Sequence, residues 1–134
     1  MNTTPAKPQF VNVRVVVVED DAAMRLFIVG TLKRIGISAI TECADGATAL
    51  KVVTEKRPDL ILSDIHMRPV NGLDFVQQVR SLADPVLRAT PVIFMTADSN
   101  QTTLAAALPL NISGYIVKPP RAADLAAKIA VALG

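Results

Sequence analysis

Four stretches of this chain stop in residues that can do chemistry. Val13-Arg14-Val15-Val16-Val17-Val18 runs into Glu19-Asp20-Asp21, and Leu60-Ile61-Leu62-Ser63 into Asp64. Val92-Ile93-Phe94-Met95 runs into Thr96, and Gly114-Tyr115-Ile116-Val117 into Lys118. Each ending has an ordinary explanation when taken singly. A strand-end aspartate such as Asp64 often caps the next turn, and an acidic triplet suits a helix N-terminus, where the dipole favours negative charge. Thr96 can be a plain strand residue and Lys118 a solvated strand end. Four such endings on one rim are harder to explain that way, because carboxylates avoid the edge of an apolar core unless something compensates them. Three carboxylates roughly 5 Å apart repel by about 3 kcal/mol per pair at an effective dielectric of 20. A hard divalent cation relieves that repulsion, and Mg²⁺ favours one or two carboxylates together with water and phosphate oxygens. Thr96 adds a hydroxyl, and Lys118 adds a point positive charge suited to a phosphoryl oxygen. The set is equipped for phosphoryl transfer onto a carboxylate.

Such a site needs elements that bring the four ends together. The first run is β-branched and nearly continuous, and Leu60 to Ser63 lacks polar alternation; both read as strands buried on two faces. Asp21 is a good N-cap for a helix carrying Met24, Phe27, Ile28, Leu32 and Ile35 on one face, and Gly36 ends it. Ile37 to Thr41 reads as a short edge strand. Asp45-Gly46 opens a second helix to about Lys56, with Ala49, Leu50 and Val53 inward. The third helix is expected from about Gly72 to Ala83, followed by a loop bounded by Pro85 and Pro91. A weak, uncharged helix is expected from about Ser99 to Leu108, stopped by Pro109 and Asn111. The last runs from about Ala122 to Leu133, with Leu125, Ile129 and Leu133 spaced by four. Five strands alternating with five helices imply an α/β, doubly wound, five-stranded parallel sheet. Its common order is 2-1-3-4-5, and its crevice opens where strands 1 and 3 end. Glu19-Asp20 and Asp64 meet there.

Bulk properties narrow the function. The chain has 134 residues, 51% of them hydrophobic, with no Trp and a net charge of +2. That is the size of one domain, expected over residues 13–134 after a flexible tail of residues 1–12, which holds Pro5 and Pro8 and lacks periodicity. Lys and Arg are not clustered with aromatics, so direct nucleic-acid binding is not expected. The lone Cys43 excludes an internal disulfide and fits a reducing compartment. No apolar run is long enough for a membrane helix, and the N-terminus is no secretory signal.

Taken together, Val18-Glu19-Asp20-Asp21, Asp64 with Met67 and Gly72 behind it, Thr96-Ala97 and Gly114-Tyr115-Ile116-Val117-Lys118-Pro119 resemble the receiver domain of bacterial two-component response regulators, CheY-like in type. Thr96 follows Asp64 by 32 residues and Lys118 follows Thr96 by 22, as in that family, and the likeness covers about Arg14 to Leu133. The resemblance implies a flavodoxin-like (βα)5 fold with Asp64 as phosphoacceptor. It implies Mg²⁺ (or Mn²⁺) held by Asp20 and Asp64, by Glu19 through water, and by the backbone carbonyl of His66. Thr96 and Lys118 would hold phosphoryl oxygens, Thr96 and Tyr115 would be the switch pair, small Ala97 would leave phosphate a way in, and Lys118-Pro119 would be cis. A sensor histidine kinase or histidine phosphotransfer protein would donate the phosphoryl group. The output would be a downstream protein target or effector domain, or a phosphorylation-dependent dimer. The chain would be cytoplasmic, and no enzyme beyond self-catalysed phosphotransfer and autodephosphorylation.

This sequence departs from the family's pattern in three places. Arg68 stands between Met67 and Pro69, Pro120 follows Lys118-Pro119, and His66, whose side chain is read as solvent-facing, stands two residues after Asp64. Competing readings fare worse. A flavodoxin-like cofactor module wants a Ser/Thr/Gly-rich loop after strand 1, where Glu19-Asp20-Asp21 repels phosphate. A haloacid-dehalogenase-like phosphatase wants a second Asp where His66 stands. The remaining alternative is a receiver-like interaction module that is not phosphorylated, which the altered loop at Arg68 keeps open.

Overall fold

Branched and aliphatic residues without polar alternation form strands that must be covered on both sides, and the sheet is built from such runs. A computed structural model of the chain describes residues 10–97 and 101–134, with the backbone alone at Gln101. Its elements are β1 (Arg14–Val18), α1 (Ala22–Arg34), β2 (Ala39–Cys43), α2 (Gly46–Lys56), β3 (Leu60–Asp64), α3 (Gly72–Arg80) and α4 (Pro85–Arg88). β4 (Val92–Thr96), α5 (Gln101–Ala107), a 3₁₀ turn (Leu108–Leu110), β5 (Gly114–Val117) and α6 (Ala122–Leu133) follow. All strand pairs are parallel, in the order β2-β1-β3-β4-β5.

Side chains alternate across the sheet, so the central strands feed two cores. Val16, Val18, Ile61 and Phe94 pack with Ala49, Val53, Phe75, Val76 and Val79 of α2 and α3. Val15, Val17, Leu60, Leu62, Ile93 and Met95 pack on the other face with Ile28 and Leu32 of α1 and Leu125 and Ile129 of α6. Phe10 joins this second core at 3% exposure, so packed structure reaches into the stretch read as tail; residues 1–9 lie outside the described residues. Phe27, expected inward, is 46% exposed, because the inward stripe of α1 runs through Ile28 and Leu32.

Other boundaries differ for local reasons. β2 begins at Ala39 rather than Ile37. Gly36 has φ 101°, its N–H donates to the Lys33 carbonyl at 3.1 Å, and the Ile37 N–H donates to the Leu32 carbonyl at 3.0 Å. That paired closure of α1 uses Ile37 as its apolar plug, and Ile37 is fully buried. α3 stops at Arg80, where Ser81 Oγ donates to the Gln77 carbonyl at 2.9 Å. The stretch read as a Pro85–Pro91 loop holds α4, a sixth helix. Asp84 caps it by accepting from the Val86 and Leu87 N–H groups, and Pro85 fills its first position, a pairing suited to a helix start. The expected Ser99 start of α5 falls on residues 98–100, outside the described residues.

One side chain ties α3, α4 and the 3₁₀ turn together. Arg80 Nε donates to the Leu110 carbonyl at 2.8 Å, Nη1 to the Arg88 and Thr90 carbonyls, each at 2.8 Å, and Nη2 to the Asn111 carbonyl at 3.4 Å. Carbonyls at helix ends lack helical partners and carry negative partial charge, which suits them to a half-buried guanidinium.

Candidate functional site

The carboxyl ends of β1 and β3 are adjacent, with Val18 opposite Ser63. One residue further on, the chain sets Glu19 and Asp64 at the floor of the crevice, 1% and 3% exposed, with Asp20 exposed above them. Each of these three carboxylates offers an oxygen within 4.8 Å of the others. Among the described residues it is the one such cluster of metal-binding side chains.

Glu19 is fixed at every polar atom. Its N–H donates to the Cys43 carbonyl at 3.0 Å, and its carbonyl accepts from Arg25 Nη1 at 2.7 Å. Oε2 accepts from the Asp21 N–H at 3.1 Å, and Oε1 accepts from Lys118 Nζ at 2.9 Å. Burial pushes the Glu19 carboxyl above the usual carboxylate range, against the pull of Lys118 and the Asp21 amide. Lys118 also lies 3.3 Å from Asp64 Oδ1. Burial works against its ammonium, but the hydrogen bond to Glu19 and the charge of Asp64 outweigh it and hold Lys118 above the ordinary lysine range. One ammonium thus bridges two buried carboxylates, leaving excess negative charge when all three acids are ionised. That donor set, all hard oxygen with a carboxylate surplus, fits Mg²⁺ or Mn²⁺.

Lys118 is placed by its own backbone, whose N–H donates to the Thr96 carbonyl at 2.7 Å. The Lys118–Pro119 peptide is cis, as the resemblance implies, and Arg68–Pro69 is cis as well. Thr96 ends β4 at 1% exposure, while Tyr115 is 39% exposed. Phe94 is opposite Tyr115 and Thr96 opposite Val117, so Thr96 and Tyr115 share one face of the sheet. The His66 side chain and Ala97 are exposed.

The loop after Asp64 closes on itself. The Gly72 N–H donates to the Ile65 carbonyl at 2.7 Å, and the Ile65 N–H to the Met95 carbonyl at 3.2 Å. A Cβ at residue 72 would stand 2.1 Å from the Asp64 carbonyl oxygen and 2.9 Å from Ile65 Cα. No side chain but hydrogen fits there. Glu19, Asp20, Asp64, Thr96 and Lys118 are all at the carboxyl edge that the sequence pointed to. The sequence reading missed Arg25, which grips a main-chain atom and so leaves no pattern of paired residue types.

Comparison with known proteins follows the same lines. The family model for the response regulator receiver domain matches residues 15–130. The chain is 31% identical over 118 residues to the chemotaxis protein CheY-3 of Vibrio cholerae, covering 88% of this chain and 89% of that protein. It is 32% identical over 116 residues to the chemotaxis protein CheY of Pseudomonas aeruginosa, covering 87% and 92%. Among solved structures, Vibrio cholerae CheY4 superposes with a TM-score of 0.82 at 26% identity, over 90% of this chain and 98% of that one. The signal receiver domain of a histidine kinase from Syntrophus aciditrophicus superposes at 0.78, again at 26% identity, over 90% and 89%.

Proposed function

Because the chain belongs to the response regulator receiver family, we propose that it is a phosphoacceptor switch, taking a phosphoryl group on Asp64 from a sensor histidine kinase or a histidine phosphotransfer protein. The observation that carries this reading is the three-carboxylate cluster of Glu19, Asp20 and Asp64 with Lys118 bridging its two buried members.

Asp64 is the nucleophile. One of its Oδ atoms attacks the phosphorus of a phosphohistidine, the O–P bond forms as the P–N bond breaks, and the electron pair stays on the departing imidazole. Asp20 and Asp64, with Glu19 through water and the main-chain carbonyl of His66, would hold Mg²⁺ or Mn²⁺, which when bound offsets the carboxylate charge and polarises the phosphoryl oxygens. Lys118 already lies beside Asp64 and re-pairs with a phosphoryl oxygen once that carboxylate is esterified. Thr96 supplies a hydroxyl to another phosphoryl oxygen, and exposed Ala97 leaves the approach clear.

The switch runs from Thr96 to Tyr115. A phosphoryl group draws Thr96 inward, and Tyr115, on the same face of the sheet, fills the space vacated. The segment between suits this role, since residues 99–108 carry no charged side chain and Pro109 cuts the helix short. The altered face is then read by a downstream protein, an effector domain or a second copy. Among the described residues no helix is long and apolar enough to cross a membrane, and we assign the chain to the cytoplasm on its kinship.

Acetyl phosphate with MgCl₂ tests the reading. Intact-mass spectrometry is expected to show one phosphoryl group on the wild type and none on Asp64→Asn. Wild type that stays unlabelled would leave the family membership standing but make the chain a receiver-like interaction module.

A further inference from the structure

The acidic turn is held by an atom that takes no part in its chemistry. The main-chain carbonyl of Glu19 accepts from Arg25 Nη1 at 2.7 Å, and the same guanidinium reaches Glu42 Oε1 through Nε at 3.3 Å. The Glu19 N–H, on the other side, donates to the Cys43 carbonyl. Glu42 and Cys43 are the last two residues of β2. The end of β2 therefore grips both polar main-chain atoms of Glu19, one directly and one through Arg25. The Arg25 side chain is only 21% exposed, whereas Glu42 is 51% exposed. The ion pair to Glu42 is accordingly weak, but the bond to the carbonyl is charge-assisted and directional.

Glu19 lies one residue past the end of β1, so the sheet no longer dictates the plane of the peptide joining it to Asp20. Rotation of that peptide would re-aim the exposed Asp20 carboxylate and loosen the Asp21 amide, while Glu19 stays anchored through Lys118 and the Cys43 carbonyl. We infer that Arg25 is a positioning residue for the acidic pocket, fixing the Glu19–Asp20 peptide so that Asp20 converges with Asp64. The inference rests on the reading of Glu19, Asp20 and Asp64 as a cation site. A donor that orients a ligand-bearing backbone acts as an outer-shell partner does around a metal.

The sign of the effect separates positioning from charge. Arg25 is a cation, so by Coulomb's law alone its removal should tighten the binding of another cation. Positioning requires the reverse. The test is amide-detected NMR titration of the full chain with MgCl₂, without phosphate. Arg25→Met is expected to weaken Mg²⁺ binding roughly 10-fold or more. Arg25→Lys should recover part of the loss, since an ammonium can serve the carbonyl but lacks the planar fork that also reaches Glu42. In the metal-free protein the Asp21 amide should exchange faster in Arg25→Met, with the amides of α6 unchanged. Arg25→Met combined with Glu42→Gln should bind Mg²⁺ no more weakly than Arg25→Met alone.

Equal or tighter Mg²⁺ binding by a folded Arg25→Met protein overturns the inference and leaves the cation site standing. Failure of the wild type to bind Mg²⁺ overturns both. If Arg25→Met does not fold, Arg25→Lys and Glu42→Gln decide: weakened binding by the lysine variant supports positioning, and wild-type affinity in both overturns it.

Discussion

Replacing Gly72 with alanine adds one carbon at the tightest point behind the site. That carbon would sit 2.1 Å from the Asp64 carbonyl oxygen and 2.9 Å from Ile65 Cα. Unstrained contact between carbon and a carbonyl oxygen needs about 3.3 Å, so the two backbones must part by about 1 Å. Neither side yields easily: Asp64 ends a central strand paired on both sides, and Gly72 opens α3 while bonded to Ile65. Overpacking of this kind costs about 1–3 kcal/mol, and a displacement near 1 Å at a nucleophile costs on the order of 100-fold in rate. Gly72→Ala is thus expected to lower both stability in urea and the initial rate of Asp64 labelling by acetyl phosphate, the latter beyond what the folded fraction explains. Gly46→Ala is the control. Its Cβ would meet Val70 Cγ1 at 2.9 Å and the Cβ atoms of Phe75 and Val70 at 3.2 Å, so stability should fall there too, but the Asp64 main chain is not among the crowded atoms and the labelling rate of the folded protein should hold. A Gly72→Ala protein with wild-type stability and labelling within twofold would refute the argument.

Lys118→Met leaves buried Glu19 without its cation, so the metal-free protein should lose about 3 kcal/mol, the lower end for breaking a buried pair, as measured by chemical denaturation. Because Lys118 is held above its ordinary value of 10.5, its contribution is present below that pH and fades as pH rises through the folded value; alkaline denaturation should be steeper in wild type than in Lys118→Met. Hydrogen bonds from Thr48 hold the Asp45 carboxyl below its ordinary value of 3.8, so its contribution is present above that value and is lost as pH falls. Asp45→Asn should keep the cap and flatten this acid dependence, while Asp45→Ala should cost about 1 kcal/mol at neutral pH. Beryllofluoride, which mimics the acyl phosphate, should alter amide exchange in residues 101–117 more than in residues 22–56; changes confined to the Asp64 loop would send the signal out by another face.

The centre of the sheet was legible because β1, β3 and β4 are nearly unbroken apolar runs punctuated by Pro, Gly or an acid; β3 and β4 fall where Leu60 to Asp64 and Val92 to Thr96 place them. The carboxyl-edge constellation was legible for a related reason, since each member follows such a run directly. What escaped depends on main-chain partners. Ile37 looks like the start of a strand and is the plug of the α1 terminus instead. α4 was hidden between two prolines read as loop markers, although Asp84-Pro85 is itself a helix-start signal. Arg25 and Arg80 bind carbonyls, which every residue carries, so no spacing of side-chain types announces them.

Arg80 has a mechanical consequence for the segment beyond β4. Its guanidinium clasps the carbonyls of Leu110 and Asn111, and those of Arg88 and Thr90 on the far side. The stretch from Gln101 to Leu110 is therefore moored at its C-terminal end, like a boom on a gooseneck. Amide exchange in the resting protein should grade along it, slowest at Asn111 and fastest toward Gln101. Cutting the mooring with Arg80→Met should erase that gradient, at a cost of about 3 kcal/mol in stability for the hydrogen bonds lost from one charged group.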